Sequence, residues 1–339
     1  MKRKYRKALV LGKFMPIHHG HEAMINYATS LADEVIVLVC TTENEPFDGH
    51  VRYELVRQIY RHNSQVVPLH LTFNERDLPS TSVPARDISQ LWAEHIKKFV
   101  PEVDVFVSSE FYGEIVAEYM GIENEYFDPE RVSIDISATE VRENPYEHWD
   151  KISQPVRDFF FRKVVLLGTE STGKSVLTKK LAERFNSSFV HEVGRDIVSD
   201  LNACTQEDLM QVAQQHAKNI IIAEQQRNRV LFIDTDINIT RSYYGYLFKD
   251  DMLVDGWMKL ANKADLYIYL EADAPYIQDG TRLSKKERLI LDQNHKLELA
   301  KRRIQYFSVY GTNWDERESQ AIDIIHRELL LPNTTYKMS

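Results

Sequence analysis

A glycine-rich octapeptide near the middle of the 339-residue chain restricts its fold more than any other segment. Residues 168–175 read Gly-Thr-Glu-Ser-Thr-Gly-Lys-Ser and fit the pattern G-x-x-x-x-G-K-[ST] in full. An apolar run at 164–167 precedes them, and a helical pattern follows. Glycines in such a loop let backbone amides surround phosphate oxygens, while Lys174 reaches the β- and γ-phosphates and the Ser175 hydroxyl binds magnesium. The segment predicts an α/β domain that holds a nucleoside triphosphate. Its predicted contacts are Gly168, Thr169, Thr172, Gly173, Lys174 and Ser175.

A second candidate phosphate site lies near the start of the chain, in the tetrapeptide His18-His19-Gly20-His21. The segment 12–16 ends an apolar strand, so the histidines open the following helix, whose amides and positive end favour phosphate. The glycine permits close approach, and two imidazoles on one helical turn can donate to phosphoryl oxygens. Taken alone, the tetrapeptide suits two capping or surface histidines equally well.

The later segment 136–142 favours the phosphate interpretation of those histidines. It reads Ile-Ser-Ala-Thr-Glu-Val-Arg, in which Ser137 can cap a helix while Thr139 and Arg142 can donate to phosphate. The candidate residues of this first site are Gly12, Lys13, Phe14, His18, Gly20, His21, Ser137, Thr139 and Arg142.

Both halves of the chain alternate short β-branched runs with helical patterns. The runs lie at 8–11, 35–40, 68–72 and 103–107, and then at 163–167, 188–191, 230–234, 266–270 and 304–310. This βαβ rhythm predicts parallel sheets covered by helices. The polar stretch 144–154, just before Pro155, predicts a boundary. We therefore expect two α/β domains, a Rossmann-like domain at 1–155 and a P-loop domain at 156–339.

Composition limits the classes of function. A formal net charge of -9 and a pI near 5.8 argue against an extended nucleic-acid surface, because neutralising phosphates requires clustered Lys and Arg. The longest apolar runs are too short to span a bilayer. With only Cys40 and Cys204, neither a disulfide framework nor a zinc cluster is expected, which fits a reducing cytoplasm. The basic start, residues 2–7, is expected to be a solvated tail.

The second half offers candidates for a metal ion and a substrate. Asp234 and Asp236 close a later apolar run, and either can supply the acidic metal ligand expected beside a P-loop; we favour Asp234. Glu192 and Arg195 follow the run at 188–191, where they can hold a hydroxyl group and a phosphate at the carboxyl edge of the sheet. The alternative is a helix start with acidic residues near its positive end.

A basic run at 279–288 predicts a mobile lid over the P-loop site. Arg282 in this run can close over the transferred phosphoryl group. A solvated charge run is the alternative.

The first half resembles the nucleotidylyltransferases that share HxGH and ISxTxxR motifs, matched here by His18, Gly20, His21, Ile136, Ser137, Thr139 and Arg142. The resemblance implies in-line attack by a substrate phosphate on the α-phosphorus of ATP, with release of pyrophosphate and no covalent enzyme intermediate. Positioning and charge neutralisation would then come from His18, His21, Lys13, Arg142 and a magnesium ion.

Within that family, the chain is similar to compact nicotinamide mononucleotide (NMN) adenylyltransferases at 44–47, Arg52 and Trp92. The similarity implies that Phe47, Arg52 and Trp92 contact the substrate, with an aromatic ring stacked on the cationic pyridine. A helical core stripe is the alternative for Trp92, because the spacing of Ile88, Leu91, Trp92 and Ile96 suits burial equally well.

The second half resembles ribosylnicotinamide kinase domains in its P-loop, Glu192, Arg195, the two aspartates and the basic run. Together the halves are similar to the bifunctional NadR proteins over nearly the whole chain. The resemblance implies that the C-terminal domain phosphorylates nicotinamide riboside to NMN. The N-terminal domain would then adenylate NMN to NAD, and both steps would use Mg-ATP. Because Gly12 already belongs to the nucleotide site, no N-terminal helix-turn-helix module is expected.

Two other functions stay open from the sequence. The same pair of domains can act on another acceptor, such as a different nucleoside or a pantetheine phosphate, because phosphate-binding loops do not read the acceptor. A regulator that binds nucleotides without turning them over would carry the same motifs. A homo-oligomer is also left open.

Overall fold

The structure is a computed structural model and describes residues 3–43, 45–79, 85–130, 132, 134–198, 203–274 and 284–330. The chain forms two compact units, one that ends at Phe159 and one that begins at Phe160. Each unit contains a sheet of five strands. The assignment of separate functions to 1–155 and 156–339 stays a prediction.

In unit 1 the strands lie in the order β3-β2-β1-β4-β5, and every neighbouring pair is parallel. Helices connect the strands, because a parallel pair requires a crossover. The elements are β1 (Tyr5–Gly12), α1 (His19–Leu31), β2 (Ala32–Thr41), α2 (Gly49–Ile59), β3 (Val66–Thr72), α3 (Arg86–Phe99), β4 (Val105–Ser108), α4 (Tyr112–Met120), β5 (Glu123–Tyr126) and α5 (Ala138–Glu143). A 3₁₀ turn, Trp149–Lys151, and α6 (Gln154–Phe160) follow.

In unit 2 the strand order is β10-β9-β6-β8-β7, again with parallel pairing throughout. The elements are β6 (Arg162–Leu167), α7 (Lys174–Arg184), β7 (Ser188–Val190), α8 (Gly194–Ile197), α9 (Gln206–Glu224), β8 (Val230–Asp234), α10 (Ile237–Phe248), α11 (Gly256–Ala261), β9 (Leu266–Leu270), α12 (Lys285–Lys301), β10 (Phe307–Val309) and α13 (Trp314–Ile325). A π-helical turn, His326–Leu330, continues α13.

The central strands explain why the sequence folds this way. A parallel strand covered by helices on both faces is apolar at consecutive positions. In β2 every residue from Val35 to Cys40 is buried, and in β8 every residue is buried. The predicted α/β architecture with two parallel sheets is confirmed.

The basic start of the chain differs from the prediction of a solvated tail. Strand β1 already begins at Tyr5, whose ring is buried. The Tyr5 hydroxyl donates to the Glu123 carboxylate at 2.5 Å, and Lys4 pairs with Glu123 at 3.0 Å and Glu125 at 2.8 Å. The acidic strand β5, absent from the sequence prediction, supplies these partners and thereby holds the basic segment against the sheet.

Part of the basic run 279–288 also differs from the prediction of a mobile lid. Residues 285–288 form the first turn of α12, capped by Ser284, whose hydroxyl accepts from the Glu287 amide. Arg282 lies outside the described residues. Among the residues that the structure describes, no helix has the length and apolar character needed to cross a membrane.

Candidate active sites

The loop between β6 and α7 has a backbone that requires glycine. Gly168 and Gly173 adopt φ angles of 139° and 84°, which residues with a Cβ atom reach only with strain. A Cβ atom on Gly168 would lie 2.5 Å from the Leu270 carbonyl oxygen, and one on Gly173 would lie 2.4 Å from the Trp314 ring. The close approach of neighbouring elements therefore excludes side chains at both positions.

Lys174 folds back onto this loop. Its Nζ atom donates to the Thr169 carbonyl oxygen at 3.1 Å, and the Thr172 hydroxyl donates to the same oxygen at 2.8 Å. The Thr169 side chain is fully buried and does not line the cavity, whereas Lys174 does. An ammonium group in this position can exchange its bond to a backbone carbonyl for a stronger bond to a phosphate oxygen.

A cavity of about 1100 Å³ opens at the carboxyl ends of β6, β7 and β8. This volume is slightly above the usual range for a single small-molecule site, so the cavity can hold a nucleoside triphosphate together with a second small molecule. The predicted residues that line it are Gly168, Thr172, Gly173, Lys174, Ser175, Glu192 and Asp234. The structure thus brings the P-loop, one glutamate and one aspartate to a single cavity.

The two candidate metal ligands have different environments. Asp234 is buried and lines the cavity, and its Oδ2 atom has no hydrogen-bond partner among the described residues. A buried carboxylate oxygen without a partner fits a magnesium ligand, and Ser175 lies in the wall of the same cavity. In the described part of the chain, no group of three or more His, Cys, Asp or Glu side chains has the arrangement of a metal cluster.

The prediction that Asp236 binds the metal is corrected, because this residue caps a helix. Its Oδ1 atom accepts from the amides of Asn238 at 2.9 Å and Ile239 at 3.3 Å, and its Oδ2 atom accepts from the Asn238 side chain at 2.6 Å. Burial raises the pKa of Asp236 to about 6. Both oxygens already serve the start of α10, as expected of an N-cap aspartate.

The substrate candidates of unit 2 are only partly described. Glu192 lines the cavity, and α8 begins two residues later at Gly194. The helix-start alternative therefore holds for this segment without removing Glu192 from the site. The side chain of Arg195 and the whole of Arg282 lie outside the described residues, so their roles stay predictions.

Two residues of the P-loop site, and a buried histidine that responds to the charge of Lys174, were missed from the sequence. Trp314 lines the cavity with its ring against Gly173, and Arg317 on the same helix donates to the Thr172 carbonyl oxygen at 3.1 Å. His295 is fully buried; burial, helped by the charge of Lys174, lowers the pKa of His295 to about 3. No local pattern marks these residues, because each is joined to the loop by the fold rather than by sequence proximity.

In unit 1 the two histidines stand together at the start of α1. The rings of His18 and His21 stack with their centroids 3.8 Å apart, and His18 is the N-cap residue of the helix. A Cβ atom on Gly20 would lie 3.1 Å from the His18 ring, so glycine leaves room for this stacking. The Phe14 ring is buried and meets the His21 ring edge-on at 5.1 Å. Phe14 therefore packs against a histidine, and its contact with ATP stays a prediction.

The segment 136–142 joins the same site. Ser137 caps α5, as the sequence predicts, and the structure shows that it does so in a capping box with Glu140. The Arg142 guanidinium donates to the Thr139 hydroxyl at 2.9 Å and to the carbonyl oxygen of Met15. Because Met15 lies between β1 and the histidines, this contact brings Thr139 and Arg142 beside the segment that carries the histidine motif.

A separate small cavity of about 150 Å³ lies at the carboxyl ends of β1, β2 and β4. Its wall includes Gly12, Lys13 and Trp92. The Trp92 indole is fixed by a 2.9 Å hydrogen bond from Nε1 to the Pro79 carbonyl oxygen. Leu91 is 44% exposed, which interrupts the core stripe, but Trp92 packs against the hydrophobic core and meets the Phe73 ring edge-on at 5.0 Å. The core role and the substrate role of Trp92 therefore both stay open.

Two predicted substrate residues of unit 1 belong to its interior instead. Phe47 is fully buried, with its ring 5.0 Å from that of Phe159. Arg52 is also fully buried and donates to the carbonyl oxygen of Lys13 at 2.9 Å, that of Cys40 at 3.4 Å and the Glu45 carboxylate. The substrate role of both residues is corrected to a scaffold role, because both side chains are fully buried and neither lines the small cavity.

Glu45 links that scaffold to the first site. Its carboxylate also pairs with Lys13 Nζ at 2.9 Å. Burial alone would raise the pKa of Glu45, but hydrogen bonds from the Thr42 amide, Lys13 and Arg52 outweigh it and lower the pKa. The carboxylate therefore stays ionised and holds Lys13 beside the small cavity.

Two family models match the chain. The cytidylyltransferase-like family covers residues 9–144, and the AAA domain family covers residues 163–317. The "trifunctional NAD biosynthesis/regulator protein NadR" of Salmonella typhimurium is 30% identical over 96% of this chain and 83% of that protein. Its Escherichia coli counterpart is 30% identical over 95% of this chain and 83% of that protein. A nicotinamide-nucleotide adenylyltransferase of Methanocorpusculum labreanum is 26% identical over 31% of this chain and 58% of that protein.

Solved structures show a similar fold over the whole chain. A NadR protein in complex with NR has a TM-score of 0.56 and 23% identity, covering 98% of both chains. A NadR protein in complex with NAD and AMP-PNP has a TM-score of 0.55 and 23% identity, covering 100% of this chain and 99% of that one. At this identity the likeness concerns the fold alone.

Proposed function

The chain belongs to the NadR family of NAD biosynthesis proteins, and from that premise we propose that its two units catalyse consecutive steps of NAD salvage. Unit 2 phosphorylates nicotinamide riboside to NMN, and unit 1 adenylates NMN to NAD. The observation that carries the proposal is the presence of two chemically different phosphate sites, one in each unit. One site is a P-loop with a lysine, and the other is a histidine pair beside an arginine.

The kinase step is assigned to the large cavity of unit 2. An acceptor hydroxyl oxygen bonds to the γ-phosphorus of ATP, the bond to the β-phosphate oxygen breaks, and ADP leaves. Lys174 neutralises the transferring phosphoryl group once its bond to the Thr169 carbonyl oxygen is exchanged. Glu192, in the cavity wall, accepts the hydroxyl proton. Arg195 and Arg282 are proposed to contact phosphate in the same step.

Magnesium is the cofactor that both reactions need, bound with ATP. In unit 2 the fitting ligands are the Ser175 hydroxyl and the Asp234 carboxylate, whose Oδ2 atom is buried without a partner among the described residues. The ion would supply charge neutralisation to the phosphate oxygens. This chain's own contribution is to hold the two ligands at adjacent strand and helix ends, where the P-loop amides converge.

The adenylyl transfer is assigned to the histidine site of unit 1. An oxygen of the NMN phosphate bonds to the α-phosphorus of ATP, the bond between the α-phosphorus and the bridging oxygen breaks, and pyrophosphate leaves. His18 and His21 stand on the first turn of α1, where their rings and the free helix amides favour phosphate. Arg142 and Lys13 add positive charge, and Gly12, Gly20, Ser137 and Thr139 shape the same site.

The acceptor ring is assigned to the 150 Å³ cavity beside Lys13. A cavity of this order holds a ring of about the size of benzene. Trp92 is held in its wall by the bond to Pro79 and offers an electron-rich face to a pyridinium cation. A pantetheine phosphate lacks such a ring, so the aromatic wall favours a nicotinamide acceptor.

The compartment is proposed from cysteine chemistry. Cys40 and Cys204 are both free thiols rather than a disulfide. Free cysteines are typical of a reducing compartment, which supports action in the cytoplasm.

An acceptor panel tests the proposed reactions. The wild-type protein is incubated with Mg-ATP and, separately, nicotinamide riboside, NMN, adenosine, uridine and phosphopantetheine, and the products are separated by liquid chromatography. We expect ADP and NMN from the riboside, and pyrophosphate and NAD from NMN. Turnover of another acceptor at a higher kcat/KM would identify a different substrate. Binding of ATP without turnover of any acceptor would identify a nucleotide-sensing regulator.

A further inference from the structure

Two buried arginines contact the backbone of the P-loop, and one of them, Arg317, also lines the cavity. Arg288 on α12 donates from Nε to the Glu170 carbonyl oxygen at 2.8 Å. Arg317 on α13 donates from Nη1 to the Thr172 carbonyl oxygen at 3.1 Å. They are among the largest fully buried side chains in the described part of the protein, with 2% and 1% exposure. Burying a guanidinium group is costly unless its contacts are favourable, so these contacts require an explanation.

The two arginines occupy equivalent positions in their helices. Ser284-Lys-Lys-Glu-Arg288 and Asn313-Trp-Asp-Glu-Arg317 share a capping residue followed four positions later by arginine. Each capping side chain accepts from amides of its own first turn, which fixes that turn. The arginine at the end of the turn is thereby directed toward the loop from a rigid base.

Arg317 also fastens the loop to the adjoining strand ends. Its Nη2 atom donates to the Glu271 carbonyl oxygen at 2.8 Å and to the Asp273 carboxylate, and its Nε atom donates to the Gly311 carbonyl oxygen at 2.6 Å. One planar guanidinium thus satisfies acceptors from three segments of unit 2. A lysine in its place has a single nitrogen and cannot span that set.

These contacts control which way the loop's peptide groups point. A peptide group directs its carbonyl oxygen and its N–H group to opposite sides, and a P-loop binds phosphate through its N–H groups. We propose that Arg288 and Arg317 are positioning residues that hold the carbonyl groups of Glu170 and Thr172 toward α12 and α13, so that the N–H groups of the same peptides face the phosphates before ATP binds. The inference rests on the proposed role of unit 2 as a site for ATP phosphates.

The test measures phosphate binding directly. Inorganic tripolyphosphate, added with magnesium, presents phosphate groups without a nucleoside. Its binding is measured by calorimetry, and the component of that binding that Lys174→Ala removes is assigned to the P-loop. Arg288→Lys and Arg317→Lys keep the charge but lose the geometry, and each should weaken that component roughly ten-fold, the effect of one lost charge-assisted hydrogen bond. The matched control is Arg302→Lys at the end of α12, where the arginine donates to Glu298 and Asp251. It should bind as the wild type does.

A second variant covers the case in which Arg317→Lys fails to fold. Asp273→Asn leaves the guanidinium in place but removes the negative charge that anchors it. It should weaken the same binding component in the same direction and lower kcat/KM for ATP in the kinase step. NAD formation from supplied NMN should be unchanged in every variant, because that step belongs to unit 1.

The outcomes separate the two proposals. If the affinity for tripolyphosphate fell by less than about three-fold in Arg288→Lys or Arg317→Lys, the positioning role of that arginine would be overturned. Larger loss in both, with Arg302→Lys at the wild-type value, supports it. If tripolyphosphate showed no component dependent on Lys174, the proposed ATP site and the positioning role would both be overturned. If that component were present and weakened while nicotinamide riboside was not phosphorylated, the reaction assignment would fail and the positioning role would stand.

Discussion

Replacing Arg52 by Met tests whether this arginine supports unit 1 or contacts a substrate. Its fully buried guanidinium donates to the carbonyl oxygens of Lys13 and Cys40 and to the Glu45 carboxylate. Met occupies much of the same volume without a donor, so the two carbonyl groups lose this partner, while Glu45 retains Lys13. Each unsatisfied buried acceptor costs roughly 1–3 kcal/mol, and the loss of one partner of the Glu45 carboxylate adds to that cost. We therefore expect unit 1 to lose about 3–5 kcal/mol of stability.

Thermal denaturation followed by circular dichroism measures that loss. For a unit of this size, it lowers the melting midpoint by roughly 6–20 °C. Arg57→Met is the matched control, because Arg57 lies on the same helix but is exposed and pairs with Glu54. Its midpoint should stay near that of the wild type. If Arg52→Met melted with the wild type and instead raised KM for NMN, Arg52 would be a substrate residue and the reasoning would be refuted.

The remaining predictions concern unit 2. Asp234→Asn should reduce kcat of the kinase step at least about 100-fold at an unchanged melting midpoint, whereas Asp236→Ala should remove a helix cap and about 1 kcal/mol of stability, seen as a lower midpoint. Equal kinetic losses in the two variants would contradict the metal assignment. Because the pKa of His295 is lowered to about 3 in the folded protein, only the unfolded chain takes up this proton near pH 6, so stability should fall as pH drops from 6.5 toward 3. Urea denaturation at several pH values should show that the free energy of unfolding declines less steeply with falling pH in His295→Gln than in the wild type. An unchanged slope would exclude this histidine as a source of the pH dependence.

The parts of the structure that the sequence predicted are those fixed by local chemistry. Gly168 and Gly173 are required by backbone angles that few other residues adopt, so a glycine motif directly predicts the loop. The consecutive apolar residues of β2 and β8 similarly predict strands buried on both faces. The helix cap at Ser137 depends on a side chain and an amide three positions apart, so a serine directly before a helical pattern predicts it without a fold.

The parts that it did not predict depend on contacts between distant segments. Arg52 reaches the Lys13 carbonyl oxygen across 39 positions, and Arg317 reaches that of Thr172 across 145. In sequence, a buried arginine bound to backbone oxygens looks the same as one that binds phosphate, so Arg52 was assigned to the substrate. Asp236 was different, because an aspartate directly before a helix is itself a capping signal. That local rule would have separated it from Asp234.

The most direct test of two independent sites acting in sequence follows nicotinamide riboside and Mg-ATP with the wild type, Lys174→Ala and His21→Ala. Chromatography should show NAD from the wild type, no NMN from Lys174→Ala, and accumulated NMN with little NAD from His21→Ala. Lys174→Ala should still convert supplied NMN to NAD, and a mixture of the two variants should restore NAD formation from the riboside. If either substitution left both steps near the wild-type rates, or each alone abolished both, the assignment of one reaction to each unit would be contradicted.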